Sequence, residues 1–406
     1  MRVLGLISGT SIDGIDVAAA DLHATGEELV LIPLGHLELD YPESLRTGLL
    51  AALPPGECSA EQLTRLDTGV GKAFATAALE GIDRLTEGRA DLVTSLGQTV
   101  FHWVENGTVE GTLQLGQPAW IAERTGLPVV ADLRARDVAA GGHGAPLAST
   151  LDALWLRSLV DAGRKPAAAL NIGGIANLTV VTPEGDPLAY DTGPGNALID
   201  AAAVQVSGGG LRSDRDGALA TSGRVRADLL ERLLDDPYYA APPPKSTGKE
   251  RFHAGYFRTA AEGLPPIADA DLLATLTELT AVTIARECAR HRVHTVLASG
   301  GGVANPALLR ALAAHLPAGA LATSEELGLP ASAKEAYLTA VLGWLTWHGL
   351  PANVPSATGA AGPRLLGGIT PGSGPLSLPP PRREAITRLR VAAASQQPVG
   401  DINART

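Results

Sequence analysis

Segment 8–14, with the sequence SGTSIDG, combines residue types that can bind a phosphate group. Its glycines allow the backbone to turn tightly and approach a ligand, and the N–H groups of such a turn can face an anion. The hydroxyls of Thr10 and Ser11 add hydrogen-bond donors. Asp13 could hold Mg²⁺, because this ion prefers carboxylate and phosphate oxygens. The segment therefore predicts either a phosphate-binding loop with a metal ligand or a plain β-hairpin with a polar turn.

Glycine clusters also follow two later predicted strands. Segment 171–177 contains a Gly-Gly pair, and segment 299–306 contains a Gly-Gly-Gly run before a predicted helix whose N-terminus offers free N–H groups. One such cluster is usually only a turn, whereas three at strand ends favour nucleotide binding. The chain contains neither a Walker A loop nor the glycine pattern of a dinucleotide-binding fold.

Carboxylates and arginines in other loops could act on a polar substrate. Asp191 follows a predicted strand and precedes a Gly-Pro-Gly turn, where it could serve as a general base or merely cap the turn or the next helix. Segment 132–137 sets arginines beside acids, which suits a polar or anionic substrate or a structural ion pair. Glu335 is predicted in the first turn of a helix, as an active-site or a helix-capping carboxylate.

The elements that must position these groups alternate along the chain. Apolar runs predict buried strands at 3–7, 15–22, 92–95, 129–131, 167–172, 177–181 and 294–298. Apolar spacing predicts helices around 63–77 and at 118–125, 197–206, 271–290, 306–316 and 333–348. The order strand, glycine turn, strand occurs twice, about 165 residues apart, which indicates two similar α/β domains with mixed sheets. After residue 371 the composition predicts a Pro-rich linker, a short basic helix and a frayed end.

Composition excludes several classes of protein. The chain has 406 residues, 45% of them hydrophobic, enough for the cores of two domains. Its net charge of −11 and lack of a basic run disfavour a nucleic-acid-binding protein. Two cysteines and no HExxH motif disfavour a disulfide framework and a zinc site. No apolar stretch of about 20 residues and no signal-peptide pattern are present, so we expect a soluble cytoplasmic protein without a membrane partner.

Nine motifs together carry a family resemblance. In chain order they are ISGTSIDGID, LGQTVFH, VVADLRARDVAAGGHGAPL, LNIGGIANLT, DTGPGN, DRDG, PKSTGKERF, SGGGVANP and TGAAGPRLLG. Over residues 1–370 the chain closely resembles the bacterial anhydro-N-acetylmuramic acid kinases, which belong to the sugar kinase, heat-shock chaperone and actin superfamily. The resemblance implies a two-domain actin-like (ribonuclease H-like) α/β fold with duplicated mixed sheets and ATP in an interdomain cleft. It implies domains at 1–128 with about 350–370 and at 129–349, and a Pro-rich tail at 371–406.

The resemblance also implies an activity. Water would open the 1,6-anhydro bridge of anhydro-N-acetylmuramic acid, and ATP with Mg²⁺ would phosphorylate the freed O6. The product would be N-acetylmuramic acid 6-phosphate, an intermediate of cell-wall recycling. A cytoplasmic homodimer is implied by resemblance alone.

Site residues follow motif by motif from the same resemblance. Asp191 corresponds to the catalytic base and Asp13 to the Mg²⁺ partner. The nucleotide-binding positions are Gly9, Thr10, Ser11, Ile12, Asp13, Gly14, Ile15, Asp16, Gly173, Gly174, Gly300, Gly301, Gly302 and Asn305. The substrate-side positions are Gln98, Thr99, Arg134, Arg136, Asp137 and Glu335.

Two positions depart from the family pattern. Leu96 stands where many members have histidine, and Ala135 where a third arginine is frequent. Two other functions therefore remain open. The first is a kinase of the same fold that acts on another sugar or small carboxylate. The second is a nucleotide- or sugar-binding sensor without catalysis, which would be expected to lack Asp191 or Asp13.

Overall fold

The computed structural model describes residues 1–105 and 107–393. The strands are β1 Arg2–Ser8, β2 Gly14–Thr25, β3 Glu28–Asp40, β4 Leu92–Glu105, β5 Thr108–Leu115, β6 Val129–Ala131, β7 Ala167–Ile172, β8 Ile175–Val181, β9 Leu188–Pro194, β10 Thr295–Ser299, β11 Leu321–Thr323, β12 Gly368–Thr370 and β13 Arg388–Val391. The helices are α1 Glu43–Ala52, α2 Ala60–Thr86, α3 Pro118–Thr125, α4 Ala135–Val138, α5 Ala148–Gly163, α6 Ala197–Val206, α7 Ala218–Ser222, α8 Ala227–Leu234, α9 Pro237–Ala240, α10 Ala254–Ala261, α11 Asp269–Arg290, α12 Pro306–His315, α13 Lys334–Trp347 and α14 Pro355–Thr358.

The chain forms two compact units. The first unit is Met1–Trp155 with Ala333–Thr406, and the second unit is Leu156–Ser332. This division differs from the predicted domains at 1–128 with 350–370 and at 129–349. The reason is local, because β6 pairs with β4 of the first sheet and α13 packs on β1 of the same sheet.

The first unit is built on a mixed sheet with the strand order β12-β6-β4-β1-β2-β3-β13, and β5 pairs with β4. Strand β1 is antiparallel to β2 and parallel to β4. Side chains alternate along β1, so Leu4 and Leu6 join a core with Phe74 of α2. Gly5 faces the opposite way, where a Cβ atom would overlap the backbone of Ala336 in α13. The sheet is therefore covered by helices on both faces.

The second unit repeats this arrangement. Its sheet has the order β11-β10-β7-β8-β9, with β7 antiparallel to β8 and parallel to β10. Strand by strand this matches β6-β4-β1-β2-β3, including the direction of each pairing. The α/β class with duplicated mixed sheets is thus confirmed. Within this unit, α11 and α12 bury the sheet around Ile284, Val296 and Leu308.

Two predictions about secondary structure were incomplete or wrong. Strand β3 was not predicted, because Pro33 and Gly35 interrupt its apolar pattern; both lie where the pairing with β2 shifts register. The short basic helix predicted after residue 371 is the strand Arg388–Val391, which pairs in parallel with β3 and buries Leu389 fully. The predicted frayed end falls on 394–406, outside the described residues.

Candidate active site

The loop at 8–14 is held in a closed shape by its own hydrogen bonds. Ile12 N–H donates to the Gly9 carbonyl at 3.1 Å, and the Ser8 hydroxyl donates to the Gly14 carbonyl at 2.7 Å. Ile12 has a φ of 55° and a fully buried side chain, so an apolar anchor holds a left-handed backbone turn. Gln98 is also fully buried, and its Nε2 donates to the Gly9 carbonyl at 3.1 Å. Gln98, predicted as a substrate-side residue, therefore supports the backbone of this loop from the protein interior.

The tip of this loop carries the exposed polar groups Thr10, Ser11 and Asp13. Asp13 Oδ1 lies 3.6 Å from the guanidinium of Arg46, whose Nε also donates to the Ile12 carbonyl. Within the described residues no three His, Cys, Asp or Glu side chains cluster as a metal site. A Mg²⁺ ion carried by phosphates needs fewer protein ligands, and the one exposed carboxylate on this loop fits that donor set. Arg46 was missed because it lies outside every motif.

Asp16 lies on β2 just after the loop, in an acidic environment. Burial, together with the charges of Glu38 and Glu335, raises the pKa of Asp16 to about 6. Glu335 is exposed in the first turn of α13. The neighbouring Lys334 anchors that turn through a buried ion pair with Asp152 at 2.6 Å.

Arg134 shares this environment. Burial lowers the pKa of Arg134, and the charge of Glu335 counteracts that effect. Arg134 Nη1 donates to the Gly144 carbonyl at 2.7 Å, while its buried Nε has no hydrogen-bond partner among the described residues. Asp16, Arg134 and Glu335 therefore form one polar cluster in the first unit. Arg136, the other arginine of this segment, is exposed.

Asp137, also predicted on the substrate side, is fully buried. Its Oδ2 accepts from Gly144 N–H at 2.8 Å, and its Oδ1 accepts from Asn353 Nδ2 at 2.7 Å and the Thr358 hydroxyl at 2.8 Å. Both oxygens are thus used within the protein. This arrangement lets Asp137 fix the glycine-rich loop at 141–144 that also contacts Arg134.

A cavity of about 510 Å³ in the first unit lies beside residues 95–97 of β4. Ser95, Leu96, Gln114 and Asp132 are among its lining residues, together with Asp67 of α2. Thr99 lies on the same strand and accepts from Gln114 Nε2 at 3.3 Å. Leu96, which replaces the frequent histidine of the motif, is 4% exposed and makes this wall apolar.

Asp191 lies on β9 of the second unit and has donors to one of its carboxylate oxygens. Its Oδ2 accepts from the Ser246 hydroxyl at 3.1 Å and from Thr247 N–H at 3.0 Å. Its own N–H donates to the Lys245 carbonyl at 2.9 Å, and its carbonyl accepts from the Tyr238 hydroxyl at 2.8 Å. Burial raises the pKa of Asp191, while the hydrogen bonds from Thr247 and Ser246 oppose that rise. Ser246 and Thr247 belong to the PKSTGKERF motif of the family resemblance, but their role as hydrogen-bond donors to Asp191 was not predicted.

Asp191, predicted to follow a strand, lies within β9, which continues through Gly193 and Pro194. The turn at Gly173 and Gly174 packs against the residues that follow this strand. Gly195 N–H donates to the Gly174 carbonyl at 2.9 Å, and Asn196 N–H donates to the Gly173 carbonyl at 2.8 Å. A Cβ at Gly174 would lie 2.7 Å from Cε of Lys249. The carbonyl groups of this turn are therefore used to start α6.

The third glycine cluster joins β10 to α12. Gly300 has a φ of 84°, and a Cβ there would overlap the Asn171 side chain, whereas Gly301 is exposed. Asn305 Oδ1 accepts from Ala307 N–H at 3.0 Å and Leu308 N–H at 3.2 Å. Asn305 is thus the N-cap of α12, so part of the N-terminus expected to offer free N–H groups is already satisfied.

A family model matches most of the chain. The model described as "Anhydro-N-acetylmuramic acid kinase" matches residues 1–372. The chain belongs to this family. The described tail beyond residue 372, which includes β13, lies outside the matched region.

Curated relatives in the anhydro-N-acetylmuramic acid kinase family agree over nearly the whole chain. The protein of that name from Streptomyces coelicolor is 54% identical over 391 residues, covering 96% of this chain and 99% of the relative. The one from Streptomyces avermitilis is 57% identical over 380 residues, covering 94% and 97%. The one from Synechococcus elongatus is 41% identical, covering 91% and 99%.

Solved structures that resemble this family member are more distant. The activator of the 2-hydroxyisocaproyl-CoA dehydratase from Clostridium difficile with bound ADPNP has a TM-score of 0.40 at 11% identity, covering 85% of this chain and 94% of that one. A ROK family glucokinase from Streptomyces griseus in complex with glucose and AMPPNP has a TM-score of 0.36 at 13% identity, covering 85% and 99%. Within the described residues, no helix has the length and apolar character of a membrane span.

Proposed function

We propose that the chain is an ATP-dependent kinase that opens the 1,6-anhydro ring of anhydro-N-acetylmuramic acid by hydrolysis and phosphorylates O6. The product is N-acetylmuramic acid 6-phosphate, an intermediate of peptidoglycan recycling. Family membership supports this reaction. The observation that carries the mechanism is the carboxylate of Asp191, of which Oδ2 is held by two donors. In the described part of the chain no donor occupies Oδ1, so this oxygen is available to accept a proton.

Asp191 acts as the general base in this proposal. It takes a proton from water as the water oxygen bonds to C1 of the sugar, and the bond from C1 to O6 breaks. O6 then bonds to the γ-phosphorus of ATP and ADP leaves, so the electron pair released from C1 is used at once. Partial burial keeps the base poised, because it raises the pKa of Asp191 towards the pH at which proton transfer is efficient.

The loop at 8–14 binds phosphate in this proposal. The hydroxyls of Thr10 and Ser11 are exposed at its tip, and Gln98 fixes its backbone. Asp13 is the carboxylate that would hold Mg²⁺, with Arg46 at 3.6 Å as a second charge beside the phosphates. When bound, Mg²⁺ neutralises developing charge on the phosphoryl oxygens. Glycines 300–302 serve the nucleotide from the second unit.

The polar cluster in the first unit serves the substrate. Arg134 places a guanidinium in this cluster, and such a group suits the lactyl carboxylate of the sugar. Glu335 is exposed beside it and can accept hydrogen bonds from sugar hydroxyls. Asp137 acts by holding the glycine-rich loop that contacts Arg134, and Asn305 acts within the second unit as the N-cap of α12.

An isotope experiment tests the reaction. The purified protein is incubated with anhydro-N-acetylmuramic acid, ATP and Mg²⁺ in ¹⁸O-labelled water, and the product is analysed by mass spectrometry. We expect a phosphorylated sugar with one ¹⁸O at C1. A phosphorylated product without the label would indicate an ordinary sugar kinase. Nucleotide binding without any product would favour a sensor.

We extend the proposal to a cytoplasmic homodimer. Its nucleotide donor and the absence of a spanning helix among the described residues are compatible with a cytoplasmic enzyme. Size-exclusion chromatography with light scattering measures the oligomeric state directly. A mass near 41.6 kDa would contradict the dimer.

A further inference from the structure

A buried network of charges lies behind Asp191 in the second unit. Glu287 of α11 forms an ion pair with Lys245 at 2.8 Å, and their side chains are only 4% and 5% exposed. The other oxygen of Glu287 accepts from the Tyr190 hydroxyl at 3.0 Å and lies 3.1 Å from Nε of Arg290. His291 Nε2 lies 2.8 Å from the same hydroxyl. Burying this many polar groups is costly unless every one is satisfied, so their arrangement is specific.

Lys245 connects this network to the base along two routes. Its ammonium donates to the carbonyls of Tyr238 at 3.2 Å and Tyr239 at 3.4 Å, and thereby fixes the segment that carries the Tyr238 hydroxyl. Its own carbonyl accepts the N–H of Asp191, and the next two residues supply the donors to Asp191 Oδ2. One buried ammonium therefore orders both segments that contact Asp191.

Tyr190 provides a third route, because it is the residue before Asp191 on β9. Neighbouring residues of a strand point to opposite faces, so its hydroxyl reaches Glu287 while Asp191 faces Ser246 and Thr247. Glu287 consequently restrains Asp191 through Tyr190 on the same strand and through the backbone of residues 245–247, although it does not contact Asp191 itself.

We propose that Glu287 is a positioning residue for the catalytic base, acting through Lys245 and Tyr190. This inference rests on the proposed function in taking Asp191 as the base. The Glu287 carboxylate holds Lys245 in place, Lys245 holds the backbone on which Ser246 and Thr247 lie, and these two residues stabilise the Asp191 carboxylate. Loosening the network weakens the two hydrogen bonds to Oδ2 and displaces the base from its attacking water.

The charged and titratable groups around these atoms are few. Glu250 and Tyr238 face Asp191, and each interacts with it electrostatically. Arg290, His291 and Cys288 are next to Glu287 on the same helix end. Hydrogen bonds to a carboxylate favour its charged form, so their loss raises the pKa of Asp191.

The experiment compares Glu287→Gln with the unmodified full chain in two measurements. Aspartate labelled with ¹³C at the carboxyl carbon gives a titration of Asp191, whose signal is identified by its absence in Asp191→Asn. We expect the midpoint in Glu287→Gln to rise by about one pH unit, the size that loss of a hydrogen bond to a charged group produces. We also expect kcat to fall about 10²-fold with little change in KM, and its acidic limb to move to higher pH.

Glu278→Gln is the matched control. Glu278 lies on the same helix and pairs with His315 at 2.6 Å, at a partly exposed site with no connection to Asp191. We expect this variant to retain the titration and the kcat of the unmodified chain. An unchanged Asp191 titration in folded Glu287→Gln would overturn the inference.

Two further variants separate positioning from stability. Tyr190→Phe removes one hydroxyl from the network, and we expect it to raise the titration midpoint of Asp191 by less than Glu287→Gln does. If Glu287→Gln does not fold, the Asp191 titration in Tyr190→Phe tests the inference in its place. Replacing both Lys245 and Glu287 by Met removes both buried charges, which should restore thermal stability but leave the midpoint raised. Recovery of the midpoint together with stability would indicate a merely structural network. Activity retained in Asp191→Asn would reject the proposed base, whereas the titration would still test the network.

Discussion

The two units share one topology but use its first turn differently. In the first unit, β1 and β2 are joined by five residues, 9–13, whose tip exposes hydroxyls and the carboxylate of Asp13. In the second unit, β7 and β8 are joined by Gly173 and Gly174 alone, and both carbonyls are bound by the turn after Asp191. The same scaffold therefore supports an open polar loop in one unit and the proposed base, Asp191, in the other. Both units share the sheet, and the short turn of the second unit supports the end of β9, the strand on which Asp191 lies.

We expect the largest effect on activity from a substitution of the proposed base, Asp191. We expect Asp191→Asn to lower kcat by about 10²–10⁴-fold, because an amide cannot accept the proton of the attacking water. Nucleotide affinity should stay nearly unchanged, as measured by calorimetry with a non-hydrolysable ATP analogue. Asp200→Asn, at a half-buried acid of α6 whose pKa is also raised by burial, is the control. Near-normal turnover in Asp191→Asn would assign the base to another residue.

The open loop of the first unit should depend on its carboxylate. We expect Asp13→Ala to reduce Mg²⁺-dependent activity at least about 10–100-fold, because even outer-shell partners of a metal contribute that much. The rate is measured across a Mg²⁺ titration. Asp83→Ala removes the same charge from an exposed position on α2 and should leave the titration curve unchanged. An unaltered curve in Asp13→Ala would reject the metal role.

Gly195, which packs against the turn of the second unit, and Gly9, in the loop of the first unit, should respond in opposite ways to substitution. A Cβ at Gly195 would overlap the Gly173 carbonyl, so Gly195→Ala should destabilise the second unit by about 1–3 kcal/mol. A Cβ at Gly9 would approach only Ser11 Oγ, at 3.8 Å. Gly9→Ala should therefore keep its unfolding midpoint but raise the KM for ATP. Denaturant titration and initial rates separate the two effects, and a destabilised Gly9→Ala chain would contradict the open loop.

Sequence patterns predicted the fold well where glycine turns bound a regular spacing of apolar residues. Both strand–turn–strand hairpins and all six predicted helices are found where apolar spacing places them, but the other helices, including the long α5, were not predicted. Strand β3 was missed because Pro33 and Gly35 are unfavourable in regular strands and are tolerated here at a register shift. The tail strand was missed because the alternation of Arg388–Val391 is only four residues long.

The site was predictable by residue type but not by orientation. The family resemblance placed Gln98, Asp137 and Asn305 in site motifs, yet each has polar atoms that bind other groups of the protein itself. A motif shows that a polar side chain occurs at a strand end, and only three-dimensional packing shows which way it points. Glu287 and Arg46 lay outside every motif for the complementary reason: each contacts the site through residues distant in the chain.

The smallest predicted effect concerns the third residue of the strand that follows each turn. Asp16 is the third residue of β2, and Asn177 is the third residue of β8, so Asp16→Asn makes the first unit resemble the second. The pKa of Asp16 is raised to about 6, above its value of 3.8 in an unfolded chain. A raised pKa means that the folded chain binds the proton more tightly, so the contribution of Asp16 to stability is full below pH 3.8 and is lost as the pH rises through 6. We therefore expect Asp16→Asn to raise stability at pH 7.5 by on the order of 1–2 kcal/mol, reduced by solvent screening, and to have little effect near pH 4. Thermal unfolding of both chains across this range measures the difference, and a stabilisation independent of pH would show that charge at Asp16 is not its cause.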